Sequence, residues 1–334
     1  MFTAQWFSLG GMRCSPLNAA LCEWSKWEVN SMVSKYQIKS NLSEPQVESD
    51  VSTFFGWMSK GAPFRLHDVN EQLTGSDKAF YNQGFAFLMQ FKKSEGLYSV
   101  SDVSVSTRKN RSKLEDIREF RQKHNLNDDP TLYFPLRKKA KNALDFQHNV
   151  LLEYANQPNS QAFYVAPLLL DKKEYYDTLF DSVNRYQIFP FHYNKYRLHR
   201  QNWVSTVGFV PFLKEHISII PHERVTTHEH YYSFSGTGGD VGWHSPEIMS
   251  ESPQRLGEVL EHEIKTCVRE NKFVSLEALP KVLEIDYQES FSETSDPLER
   301  LRVWGKSMFR DYGIKVFVLL AHREYLEHYK IEFA

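Results

Sequence analysis

The chain has 334 residues, of which 41% are hydrophobic, 14% aromatic and 25% charged, with a net charge of −2. That composition excludes a disordered chain and a polycation, so any nucleic-acid contact has to come from a local patch. Cys14, Cys22 and Cys267 form no CxxC pair and argue against a disulfide framework or a cysteine zinc site. No apolar run reaches the length of a membrane span and no basic leader opens the chain, so the expectation is a cytoplasmic protein with no membrane partner.

In chain order, residues 1–42 read as an N-terminal helical segment, with helical texture over 17–37. Ser43 then reads as an N-cap and Pro45 as a first-turn residue, opening a helix that runs toward Gly61. Val47, Val51, Phe54, Phe55 and Met58 repeat at helical spacing on it. Glu44 and Glu48 lie along that face. They are either acids favoured by the helix N-terminus or functional groups, and the first reading is the simpler.

Two strand-like runs follow, "PFRLHDVNEQL" and "GFAFLMQFK", joined by a hairpin-like turn "TGSD" that carries Asp77. "KLEDIREFRQKH" reads as a charged, solvated helix and "FQHNVLLEYANQ" as an amphipathic one. "AFYVAPLLL" is a buried strand and "KKEYYDTLFDSV" a further helix. Residues 43–182 therefore read as an α/β or α+β domain with a mixed central sheet flanked by helices. Residues 183–334 read as a β-rich region with closing helices. Its strand-like runs are "RYQIFPFHYNKYRL", "WVSTVGFVPF", "HISIIP" and "HEHYYSFSG". Helices at "PQRLGEVLEHEIKTCVREN" and "PLERLRVWGKSMFRDYG" precede a last strand, "IKVFVLLA".

The run "FAFLM" has the continuous apolar character of a strand buried on both faces. It ends in Gln90-Phe91-Lys92, and the two-residue period of a strand points Gln90 and Lys92 to one face and Met89 and Phe91 to the other. A carboxylate such as Asp77 and a side-chain carbonyl such as Gln90 can share a hard divalent cation, which polarises a phosphate and acidifies a bound water. A lysine beside them can orient that water or stabilise the charge that develops on phosphorus.

An acid on a first helix, then an Asp, then "(D/E/Q)-x-K" ending a core strand resembles the PD-(D/E)xK superfamily of restriction-endonuclease-like nucleases. The stretch "EQLTGSD…FAFLMQFKK" looks like uncharacterised bacterial members with a D…QxK motif. The resemblance covers residues 43–182. It implies a restriction-endonuclease-like domain that hydrolyses phosphodiester bonds, in DNA foremost, with Mg²⁺ or Mn²⁺ as cofactor. It assigns Asp77, Gln90, Lys92 and Glu44 to catalysis, Asp77, Gln90 and Glu48 to the metal, and Gln147 to a supporting glutamine; Glu71 is either a supporting acid behind the site or simply a strand-end charge. The family also suggests defence against foreign DNA and action as a homodimer or with a partner protein. Here the proline of the motif is absent, and glutamine at position 90 removes a negative charge from the metal site, which keeps open a degenerate nucleic-acid-binding or interaction module.

"LRKKAK" supplies Arg137, Lys138, Lys139 and Lys141 without an acid among them, a phosphate-contact segment. A rival site lies in "THEHYYSFSGTGGDVGWHSPE". There His228 and His230, two apart on an expected strand, could ligate a metal with His244 and Asp240 and make the protein a metal hydrolase. "GTGGD" in the same stretch imitates a phosphate-cradling loop but lacks the GK[ST] ending.

Overall fold

In the computed structural model, which describes residues 35–58, 64–71, 81–106, 111–126, 130–187, 207–244, 247–248, 254–284, 296–324 and 326–327, the chain first forms a short strand, β1 (Gln37–Ile38). Helix α1 (Glu44–Met58) opens where Ser43 predicts, with the Gln46 amide donating to Ser43 Oγ at 3.4 Å. Then come β2 (Phe64–Asp68), β3 (Gln83–Phe91), β4 (Glu95–Leu97), helix α2 (Lys113–Lys123), β5 (Thr131–Pro135), α3 (Gln147–Ala155), β6 (Ser160–Pro167) and α4 (Lys172–Gln187). The second half contributes a helical turn α5 (Pro211–Lys214), β7 (His216–Ile219), β8 (Tyr231–Ser235), β9 (Val241–His244), β10 (Glu247–Ile248), β11 (Gln254–Arg255), α6 (Leu256–Arg269), β12 (Val274–Ser275), α7 (Leu279–Val282), α8 (Pro297–Tyr312) and β13 (Lys315–Ala321). No described helix is long and apolar enough to cross a membrane.

The fold is α+β, with two mixed-origin sheets flanked by helices. One sheet has seven strands in the order β11-β7-β6-β3-β13-β2; β12 pairs with β3 off this path. The other has six, in the order β1-β4-β5-β8-β9-β10. Each sheet takes half of its main path from either side of residue 182. The boundary expected there therefore separates no sheet from another, because β13 and β7 complete the first sheet and β8 to β10 the second.

The centre of the seven-stranded sheet is β3. It pairs in parallel with β6 and antiparallel with β13. Its alternation sorts the core. Phe85, Phe87, Met89 and Phe91 pack into a cluster with Val47, Val51, Phe54 and Phe55 of α1 and with Val259 and Ile264 of α6. Ala86 and Leu88 face the other way, toward Leu151 of α3, Leu301 of α8 and Phe134, Tyr232 and Trp243 of the second sheet. Each large side chain buried this way contributes on the order of 1.5–3 kcal/mol of transfer free energy, so a register slip in β3 would expose one whole set.

Several expectations change. The hairpin from β2 to β3 is absent: β13, from the far end of the chain, lies between them. The run "WVSTVGFVPF" is not a strand where it is described, since Pro211–Lys214 form a helical turn, and Arg185–Gln187 close α4 rather than open a strand. Gln37–Ile38 form a strand in the segment expected to be helical, and the rest of the 17–34 helix lies outside the described residues. Helix α2 is charged but not solvated throughout, because Glu115, Arg118 and Arg121 are buried.

Candidate functional site

The two strand ends named above meet at one edge of the seven-stranded sheet. Because β13 runs antiparallel to β3, its first residue, Lys315, pairs with Met89 near the end of β3. Because β2 also runs antiparallel to β13, Asp68 at its end pairs with Phe317. The ends of β2 and β3 and the start of β13 therefore share this edge, and α1 and the first turn of α3 contribute to it through Glu48 and Gln147. Gly313 places β13 there. It ends α8 in the left-handed region at φ 68°, and a Cβ added to it would run into the Arg137 guanidinium.

On the α3 face stand Gln90 and Lys92, as their period predicts. The backbone N–H of Lys92 donates to the Val165 carbonyl at 2.8 Å, which extends the β3–β6 pairing and fixes the side chain inward. Its ammonium donates to Gln147 Oε1 at 3.3 Å and lies 5.9 Å from the Tyr164 ring centroid. Gln147 Nε2 donates to Gln90 Oε1 and to the Tyr312 carbonyl, and Gln90 Nε2 donates to the Phe91 carbonyl at 2.7 Å. Lys92 is only 4% exposed, and among the described residues its ammonium hydrogen-bonds an amide rather than a carboxylate. Burial pulls its pKa down to about 8, against the pull of Glu44 and with the help of Arg137.

On the α1 face stands a different lysine. The Lys315 ammonium lies 3.0 Å from Asp68 Oδ2 and 3.2 Å from Glu48 Oε1. Asp68 Oδ1 also accepts from the Asn70 backbone and side-chain amides at 3.0 and 3.1 Å. Burial pulls the Lys315 pKa down, but Asp68 and Glu48 together raise it above the ordinary lysine value. Glu48 titrates above its ordinary range, because burial and repulsion from Asp68 and Glu44 outweigh the one ammonium it shares.

The expected residues thus separate. Gln90, Lys92 and Gln147 come together. Glu48 is on the opposite face, tied to Lys315, and Glu44 is exposed in the first turn of α1 with its charge reaching Lys92. Glu71 is exposed in the turn after β2. Asp77 lies outside the described residues. Arg137, Lys138, Lys139 and Lys141 occupy an exposed loop between β5 and α3, and Arg137 Nη1 donates at 3.2 Å to the same Tyr312 carbonyl that Gln147 contacts. Asp68 and Lys315 escape the sequence reading. The acid ending "FRLHD" and the lysine opening "IKVFVLLA" are each ordinary, and only the insertion of β13 joins them.

A divalent cation finds no complete shell here: among the described residues no three His, Cys, Asp or Glu side chains converge as metal ligands. The two carboxylates that do converge, Glu48 and Asp68, converge on an ammonium, and the Gln90 carbonyl is held by Gln147.

In the rival region, "GTGGD" is the turn of the β8–β9 hairpin, not a phosphate loop. His228 and His230 precede β8 rather than share a strand face. Asp240 pairs with the buried Arg121 at 2.5 Å. His244 Nε2 hydrogen-bonds Ser233 Oγ at 2.8 Å, and burial together with Arg121 holds its pKa down to about 3. These groups stabilise the hairpin against α2. No family model, curated protein or solved structure matches the chain.

Proposed function

We propose that this sheet edge is the active site of a metal-dependent nuclease that hydrolyses phosphodiester bonds, in DNA first of all and in the setting of defence against foreign DNA. The observation that carries the reading is Lys92. An ammonium 4% exposed, with a pKa of about 8 and held only by an amide oxygen and an aromatic face, leaves uncompensated positive charge at a sheet edge. A phosphate supplies the missing negative charge, and a dry, fixed ammonium is worth most where charge develops during the reaction. The Gln147–Gln90 pair sets its direction, and the exposed Arg137–Lys141 loop, joined to the same Tyr312 carbonyl, is placed to hold a nucleic-acid backbone. Mg²⁺ or Mn²⁺ would polarise the phosphate and acidify a water. Since the described residues do not complete its shell, this part of the reading rests on Asp77 joining Glu44.

A second reading, a module that binds nucleic acid without cutting it, is favoured by the sharing of Lys315 between Glu48 and Asp68 and by the neutral Gln90. Incubating plasmid DNA with wild type, Asp77→Ala, Lys92→Ala and His228→Ala, in Mg²⁺, Mn²⁺ or EDTA, separates the readings. Metal-dependent cleavage abolished in the first two variants is the expected result. Cleavage that survives both would sink the proposal, and loss in His228→Ala alone would move the chemistry to the hairpin region. Salt-sensitive DNA binding without cleavage by any form would establish the second reading.

A further inference from the structure

The loop that joins β5 to α3 carries more than its charges. Leu144 in it is 90% exposed, the most open large apolar side chain among the described residues. A lone exposed leucine is ordinary on a protein surface, and what sets this one apart is its surroundings. Ala143 is buried, and its amide donates to the Ala140 carbonyl at 3.1 Å. The Leu144 carbonyl accepts from Lys139 Nζ at 2.8 Å. Asp145 then accepts from the Phe146 amide at 2.7 Å and from Asn149 Nδ2 at 2.8 Å, and pairs with Arg224. The backbone is therefore held on either side of Leu144, and its side chain is displayed on a fixed support.

Around it the charge is positive and open. Lys138 and Lys141 are exposed, while Lys139 and Arg137 donate to the Leu144 and Tyr312 carbonyls, which leave their charge uncancelled. Asp145 is the only acid between Leu136 and Phe146, and Arg224 answers it. Beside the Tyr312 carbonyl, Asp311 is taken by Arg310 at 2.7 Å. An apolar tip among cations suits a nucleic-acid duplex or an anionic membrane. A membrane anchor needs an apolar face or a lipid chain, and this loop exposes one large apolar side chain. A duplex needs no more than that: one leucine wedged into a base step kinks it while cations hold the flanking phosphates. The base of the loop also leads to Lys92, since Arg137 and Gln147 share the Tyr312 carbonyl.

We propose that Leu144 is a wedge that enters a base step of bound duplex DNA, with Lys138 and Lys141 on the flanking phosphates, and that it selects deformable steps such as TA for the site at Lys92. The inference rests on the reading of that sheet edge as a nucleic-acid site. Unstacking costs least at pyrimidine–purine steps, so this preference needs no hydrogen bond to a base.

The test uses the full chain in EDTA, so that binding is read without cleavage, and short duplexes carrying 2-aminopurine at a TA step or inside an A-tract. Wild type raises the emission at the TA step, where the probe loses its stacking, and raises it little in the A-tract. Leu144→Ser abolishes the rise but keeps the salt dependence of binding, and Leu144→Phe, which restores a wedge, restores the rise. Lys138→Gln and Lys141→Gln each lower the salt slope by about one, the value of a lost phosphate contact. Salt-dependent binding with no rise in emission, or an equal rise in Leu144→Ser, would overturn the wedge and leave the nucleic-acid reading standing. Absence of DNA binding would remove both. Binding to phosphatidylserine vesicles that Leu144→Ser abolishes, with no unstacking of DNA, would give the loop to a membrane and overturn the proposal.

Discussion

Two lysines at one sheet edge show how differently the same side chain can be buried. Lys315 lies between two carboxylates, which raise its pKa despite burial. Lys92, on the other face, has an amide and a ring for company, and its pKa falls to about 8. The first is a structural ion cluster in which the ammonium is answered by two carboxylates. The second is a cation maintained at a cost, the kind of perturbed group that clusters at functional sites. The difference comes from depth and from face: Lys92 is almost fully buried whereas the Lys315 side chain keeps 15% of its surface, and only the α1 face carries Glu48 and Asp68.

The largest expected effect breaks the answered side. Lys315→Met leaves Glu48 and Asp68 facing each other without a cation and is expected to cost about 3 kcal/mol at neutral pH, the low end for breaking a buried pair because the side chains keep some solvent contact. Urea unfolding should show the loss shrinking as pH falls toward 5, since Glu48, whose carboxyl titrates above its ordinary range, then takes up a proton; a pH-independent loss would mean that packing, not charge, holds this corner.

Lys92→Met should do the opposite. It removes a buried charge and is expected to stabilise the protein by about 2 kcal/mol at pH 7, less than the roughly 3 kcal/mol that the pKa difference implies, because Gln147 loses a donor. The sign follows from linkage. The folded pKa of about 8 lies below the ordinary lysine value of 10.5, so the unfolded chain holds more protons between these limits, and wild-type stability rises with pH across that window. The advantage of the variant should fade over the same interval. Lys315, with its raised pKa, keeps its contribution through that window and loses it only above. A Lys92→Met protein that is less stable than wild type at pH 7 would remove the contrast altogether. One that is more stable but inactive on DNA would sharpen it, since a structural role does not combine those outcomes.

Gly313→Ala comes next, at about 1–2 kcal/mol, because alanine is strained at φ 68° and its Cβ meets Arg137. DNA binding should weaken with it as the Arg137 loop shifts; unchanged binding would detach that loop from the site. The smallest is Ser43→Ala, about 1 kcal/mol from a lost cap on α1, read by thermal melting.

Much of the site's α3 half was legible. The two-residue period placed Gln90 and Lys92 together, and the amphipathic helix behind them delivered Gln147 to the same face. The basic loop was legible as a run without acids. The α1 half was not. Glu48 was visible as an acid on an apolar helix face, but its partner stands 267 positions along the chain. No local pattern reports a pairing at that distance.

The sequence by itself determined the elements. Apolar runs, caps and glycine stops are local, so β3, α1, α6, α8 and β13 could be placed from their own residues. Only the tertiary structure decided which strands are neighbours. Insertion of β13 between β2 and β3 dissolved the expected hairpin, joined the two halves of the chain into common sheets, and answered one buried lysine while leaving the other bare. Burial fixes that a strand lies inside; which other apolar strand lies beside it depends on packing across the whole core, and such packing leaves no periodicity in the sequence to read.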